Sequence, residues 1–169
     1  MKFDIFYQLP AARTQQPAER YRELIAEATE ADRLGFDTVW LAEVHFAPRF
    51  SVMPTPLLLL AAIAEKTTRL RLGMAVNLMP LHHPMRLAEE VATLDVLSGG
   101  RVEFGGGRGA FPLNYRGYGV GMETSRALFA EFRDCRELGL GGSVGIHTVR
   151  EFIGCGRLTR FEFANGGGI

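Results

Sequence analysis

Residues 70–106, LRLGMAVNLMPLHHPMRLAEEVATLDVLSGGRVEFGG, hold one complete strand–helix–strand unit, and the reading of that unit decides the fold. LRLGMAVN (70–77) is an apolar run of strand length. PMRLAEEVATLDVLSGG (84–100) opens on Pro84 and closes on glycine, the punctuation expected of a helix. RVEFGG (101–106) begins as a second strand but runs into GGGRG (105–109). A strand gains nothing from consecutive glycines, which weaken pairing and leave the core unfilled. The run therefore marks a tight turn, or a place where something approaches the main chain closely with Arg108 beside it.

The same rhythm extends in both directions. FDIFYQ (3–8) reads as a strand and PAERYRELIAEATEADRLG (17–35) as a helix, with Tyr21, Leu24, Ile25, Ala28, Ala31 and Leu34 at helical spacing. DTVWLA (37–42) is a strand, TPLLLLAAIAEKT (55–67) a helix, and METSRALFAEFRDCREL (122–138) a fourth helix that Thr124 or Ser125 is placed to cap. Four strand–helix units in strict alternation predict an α/β fold of parallel strands with helical crossovers. Two architectures satisfy this: a doubly wound open sheet, or part of a (β/α)8 TIM barrel. A barrel needs roughly 250 residues to close, and this chain has 169. Residues 139–169 break the rhythm; they are rich in glycine, and TRFEFA (159–164) is at most a short strand.

Composition narrows the function classes. The chain is 47% hydrophobic and 22% charged, the balance of an ordinary globular domain. A formal net charge of zero gives no electrostatic bias towards nucleic acid or a membrane surface. The longest apolar run, PLLLLAAIA, is too short to span a bilayer. Cys135 and Cys155 lack metal-type spacing, no metal site is expected, and the cytoplasm is the default compartment.

In parallel α/β folds, ligands bind at the carboxyl ends of the strands. That rule collects Gln8, Glu43, His45, Asn77 and Arg108 on one rim. The glycine run then lets a flat or phosphorylated ligand approach the main chain, and Arg108 offers a fork of donors to phosphate. Each feature also has a plain structural reading: the glycines as a turn, His45 as a packed histidine, and Glu43 as a solvated charge or a partner of Arg49. LHHP (81–84) leads into the third helix, with His82 or His83 near its start.

Together, EATEADRLGFDTVWLAEVHF, the segment from PLLLLAAIAEKT through GGGRG, and YRGYGV resemble the luciferase-like flavin monooxygenases over residues 1–134. The resemblance implies a TIM barrel with reduced FMN across the carboxyl ends of the strands, acting with oxygen on a small organic substrate. It implies that Ala75, Val76 and Asn77 lie under the flavin ring, in a segment that often carries a non-proline cis peptide. It implies that Gly107 and Arg108 hold the phosphate, and that Glu43 and His45 are the acid and second histidine of an EHH motif near the reacting face. The middle position of that motif is Val44. Valine transfers no proton, so light emission by that route is not expected. A deazaflavin-dependent reductase remains open as an alternative.

Members of this family run to about twice this length. The expectation is therefore the amino-terminal half of a barrel (1–134) followed by a tail of uncertain structure (135–169) outside the family pattern. A truncated gene or a frameshift near residue 135 would account for the tail. A non-catalytic half-barrel and an inert gene fragment are the competing readings. The first and fourth strands would each keep one unpaired edge, which predicts self-association or pairing with another chain.

Overall fold

The helices over 17–34 and 84–98 begin and end where proline and glycine place them. The computed structural model describes residues 1–134, 149–153 and 157–161. Strand β1 (Asp4–Tyr7) leads to helix α1 (Pro17–Leu34), which stops at Gly35. Gly35 sits at φ 86°, and its amide reaches the Ala31 and Asp32 carbonyls. That left-handed cap costs glycine least. Strand β2 (Thr38–Leu41) is buried along its whole length and is followed by α2 (Pro56–Ala64). Strand β3 (Arg71–Met74), the two-residue strand β4 (Asn77–Leu78) and a 3₁₀ turn at Met79–Leu81 precede α3 (Pro84–Ser98). Strand β5 (Val102–Gly107), α4 (Pro112–Tyr118), a 3₁₀ turn at Met122–Thr124 and α5 (Ser125–Asp134) follow. Strands β6 (Val149–Ile153) and β7 (Arg157–Phe161) complete the described chain.

The order across the sheet is β1-β2-β3-β5-β6-β7, with β4 also pairing β5. The pairs β1–β2, β2–β3 and β3–β5 are parallel and follow chain order, with Asp4 opposite Thr38, Val39 opposite Leu72 and Leu72 opposite Val102. A doubly wound sheet reverses direction at a switch point; these four neighbours do not. Successive right-handed crossovers in one direction place every helix on the same face. That is barrel order, and it decides between the two architectures open to the sequence. The fold is part of a TIM-type α/β barrel.

The core lies between these strands and helices. Leu24 and Ala28 of α1, Leu60 and Ile63 of α2, and Leu87 and Val91 of α3 pack in one buried cluster with Val39, Leu72 and Phe104. At the amino ends of the strands, two polar groups tie the elements together. The Asp32 carboxylate accepts from the amides of Thr68, Arg69 and Leu70 at 2.9, 3.0 and 2.7 Å. Arg101 donates to the Ala64, Leu70 and Ser98 carbonyls and to the Thr67 hydroxyl. This end of the sheet is pinned, which leaves the opposite rim for a site.

Four features depart from the sequence expectation. The strand expected over 70–77 is two strands, divided at the Ala75–Val76 peptide, which is cis as the resemblance implies. Helix α4 lies in a stretch whose glycines hid it. The fourth helix begins at Ser125, after a 3₁₀ turn, and its expected end at 138 lies outside the described residues. The fourth barrel strand, β5, does not present a free edge. It pairs in parallel with β6, Phe104 opposite Val149, and β6 forms an antiparallel pair with β7. Backbone pairing by these two strands satisfies the edge that four units alone would leave open.

Candidate functional site

The carboxyl ends of β1 and β2 each bear a residue in an unusual conformation. Leu9 and Phe46 have φ of 59° and 56°, the left-handed region that non-glycine residues rarely occupy. Such residues cost about 1–3 kcal/mol each and cluster where a site must be shaped. Phe46 fits because residue 117 is glycine: a Cβ at Gly117 would lie 2.1 Å from the Phe46 ring.

Glu43 and His45 follow β2 directly and are both buried. The Glu43 carboxylate is fully enclosed and is the centre of the cluster. Its Oε1 accepts from His45 Nε2 at 2.7 Å and from His82 Nε2 at 2.8 Å. Its Oε2 accepts from the Leu78 amide at 2.8 Å. Burial pushes this carboxyl up, but the two histidine bonds, the His82 charge and the Leu78 amide outweigh it and hold Glu43 below the usual carboxylate range. Burial pushes His82 down; its bond to Glu43, the Glu43 charge and the nearby Glu90 reverse that and hold it above the usual imidazole value. The shifts favour the anionic form of Glu43 and the charged form of His82, and a buried charge needs such a partner. Both histidines touch the carboxylate directly. Among the described residues, no group of three His, Cys, Asp or Glu side chains is arranged to hold a metal.

Tyr118, at the end of α4, completes the cluster: its hydroxyl lies 3.2 Å from His45 Nδ1 and its ring meets the imidazole edge-on at 4.9 Å. Burial, and then the Glu43 charge, raise the Tyr118 phenol above its ordinary value. Sequence reasoning missed both His82 and Tyr118 as site residues. The available signals were the place of LHHP just past the third strand and of YRGYGV just past the fourth.

The predicted flavin-side residues also come together. β4 pairs with the end of β5, Asn77 opposite Gly106 and Leu78 opposite Gly107. The glycines make this possible. A Cβ at Gly107 would lie 2.5 Å from Val76 Cγ2, and one at Gly106 would lie 2.1 Å from Met79 Sδ. The close approach read from GGGRG is therefore made by the chain's own β4 segment. Asn77 is buried, and its side-chain Nδ2 has no hydrogen-bond partner among the described residues. With Glu43 and His82, it lines a half-open cleft of about 770 Å³ that runs between α2 and α3. Arg108, exposed at the end of β5, donates to the Ser125 hydroxyl at 3.2 Å, so that hydroxyl serves Arg108. Tyr115 bonds the Arg108 carbonyl and fixes its backbone.

A sequence model of the luciferase-like monooxygenase family matches residues 1–148. The chain belongs to the luciferase-like monooxygenase family. The oxygenase component of a flavin-dependent trigonelline monooxygenase from Acinetobacter baylyi is 36% identical over 125 residues, which is 73% of this chain and 34% of that protein. The monooxygenase RslO1 from Streptomyces bottropensis superposes with a TM-score of 0.79 at 30% identity, covering 98% of this chain and 48% of that one. The oxygenating constituent of 3,6-diketocamphane monooxygenase from Pseudomonas putida, solved in complex with FMN, shares the fold at 20% identity and a TM-score of 0.73, over 95% of this chain and 44% of that one. The chain thus spans about a third of the curated relative's length and about half of the solved chains'. No helix among the described residues is long and apolar enough to cross a membrane.

Proposed function

We propose that this chain supplies the amino-terminal part of a flavin-dependent monooxygenase site, in which reduced FMN and oxygen act on a small organic molecule. One observation carries the reading: the buried, unpaired Asn77 amide stands on the strand pair that ends at Arg108. A donor left unsatisfied in a buried place is costly unless a ligand acceptor meets it. The Asn77 Nδ2 suits an acceptor on the edge of the flavin ring, and the Arg108 guanidinium suits the phosphate. Ala75 and Val76 give the ring an apolar bed, with Gly107 close beneath. When bound, reduced flavin supplies the oxygen-activating chemistry that no side chain offers.

The chain's own contribution is to orient and to manage protons. Val44 is buried and carries no proton, so that work falls to His45, held by Glu43. The Acinetobacter relative is the oxygenase component of its system; by the same logic, a separate reductase would deliver reduced flavin here.

Fluorescence titration of the chain with FMN tests the reading. Saturable binding is expected between about 1 μM and 1 mM, the range of −8 to −4 kcal/mol, because the chain spans about half the length of the solved relatives. Arg108→Ala should weaken it about ten- to hundredfold, as loss of a charge-assisted contact does. A parallel titration with a deazaflavin cofactor separates the two cofactor classes. No saturation with FMN up to 1 mM, or equal affinity in the Arg108 variant, would contradict the assignment.

A further inference from the structure

His45 has no free ring nitrogen. Nε2 lies 2.7 Å from Glu43 Oε1, and Nδ1 lies 3.2 Å from the Tyr118 hydroxyl. Glu43 is held as an anion and can only accept, so His45 Nε2 carries its hydrogen. In the neutral ring Nδ1 is then bare and accepts from the Tyr118 O–H. His45 itself is 5% exposed, whereas Tyr118 is 45% exposed. Tyr118 thus joins this enclosed base to a side chain that reaches the surface. Phe46, packed edge-on against Tyr118 at 6.0 Å, sets the position of the phenol ring.

We propose that Tyr118 is the group through which His45 exchanges a proton with a small molecule bound at the rim. This rests on the reading of the rim as the binding site. In the forward direction, an X–H bond of the ligand breaks and its proton joins the Tyr118 oxygen. The phenol's own proton passes to His45 Nδ1. The ligand keeps the electron pair, and the imidazolium that forms is stabilised by the Glu43 carboxylate. The reverse transfer returns the proton, and no electron changes hands. The titratable groups that face His45 are Glu43 beside it, Tyr118 from α4, and His82 through the shared Glu43 oxygen, with Glu90 of α3 bearing on His82.

The test uses the full chain with ¹⁵N-labelled histidine, its four histidines assigned by single substitutions. His45 is expected as the Nε2–H tautomer. Tyr118→Phe should keep that tautomer and move the His45 Nδ1 resonance towards that of a ring nitrogen with no hydrogen-bond donor, because the phenol hydrogen that Nδ1 accepts is gone. Tyr7→Phe, which removes a phenol hydroxyl that faces Glu27 of α1 instead, should leave that resonance unchanged. An Nδ1–H tautomer, or a Tyr118→Phe chain whose Nδ1 resonance matches the parent's, would overturn the proposal. If the variant does not fold, the tautomer in the parent chain decides alone. The measurement needs no flavin. A normal tautomer with failed FMN binding would remove the flavin reading only, and the wrong tautomer with normal FMN binding would remove the relay only.

Discussion

Asp32 shows how a single carboxylate orders the end of the fold away from the site. Burial pushes it up, but three backbone amides and the Thr68 hydroxyl outweigh burial and hold its pKa below the ordinary value. Its stabilisation is therefore fully present above the unfolded carboxyl's titration near pH 4 and is lost as pH falls through the lower folded value. Asp32→Asn should lower stability at pH 7 by about 1.5–3 kcal/mol, the worth of hydrogen bonds to a charged group. The gap between parent and variant should narrow progressively below pH 4. Urea unfolding at pH 7 and pH 3 checks both parts; an equal gap at the two values would contradict the sign. At this scale the sequence is legible in part. Position past β2 places Glu43 and His45 on the rim, but nothing local reveals that a histidine 39 residues on and a tyrosine 73 residues on close around them. Those contacts depend on the course of the chain after β4 and on the approach of α4, which only the assembled fold sets.

The elements follow their punctuation closely where proline and glycine act alone, as in α1 and α3. They are obscured where glycine serves packing. Helix α4 contains Gly117 and ends at Gly119, a composition that reads as a loop until Phe46 is seen to need the space at residue 117. The strand expected over 70–77 is broken by a peptide whose geometry no propensity scale registers. GGGRG is a strand end because its glycines admit Val76 and Met79, which periodicity cannot show. Gly73 of β3 has the same role under a rigid neighbour. It stands opposite Trp40 of β2, and a Cβ there would lie 2.3 Å from the indole. Gly73→Ala should therefore cost about 1–3 kcal/mol, typical of overpacking a filled core, and should shift the emission of the chain's single tryptophan. Gly106→Ala meets the flexible Met79 thioether instead and should cost less. Thermal unfolding of the two variants, followed by tryptophan fluorescence, ranks them. The reverse ranking would contradict the packing argument.

At the scale of the molecule, sequential parallel order places the carboxyl ends of β1, β2, β3 and β5 side by side, with β4 paired to the last residues of β5. That arrangement turns separated residues into one rim. The alternation of strands and helices is legible in the sequence. The choice between an open sheet and a barrel is not, because it depends on the direction of each crossover. The coverage of β5 by β6 is also hidden, since the glycine-rich tail lacks a strand period. The central claim is that flavin lies on this rim, over β4 and the end of β5. Hydrogen–deuterium exchange with and without saturating FMN, resolved by peptide mass spectrometry, tests it most directly. The account predicts slowed exchange in peptides covering Ala75–Met79 and Gly105–Gly109, with little change in α1. Protection confined to other segments, or no protection at a flavin concentration that saturates the fluorescence titration, would contradict it.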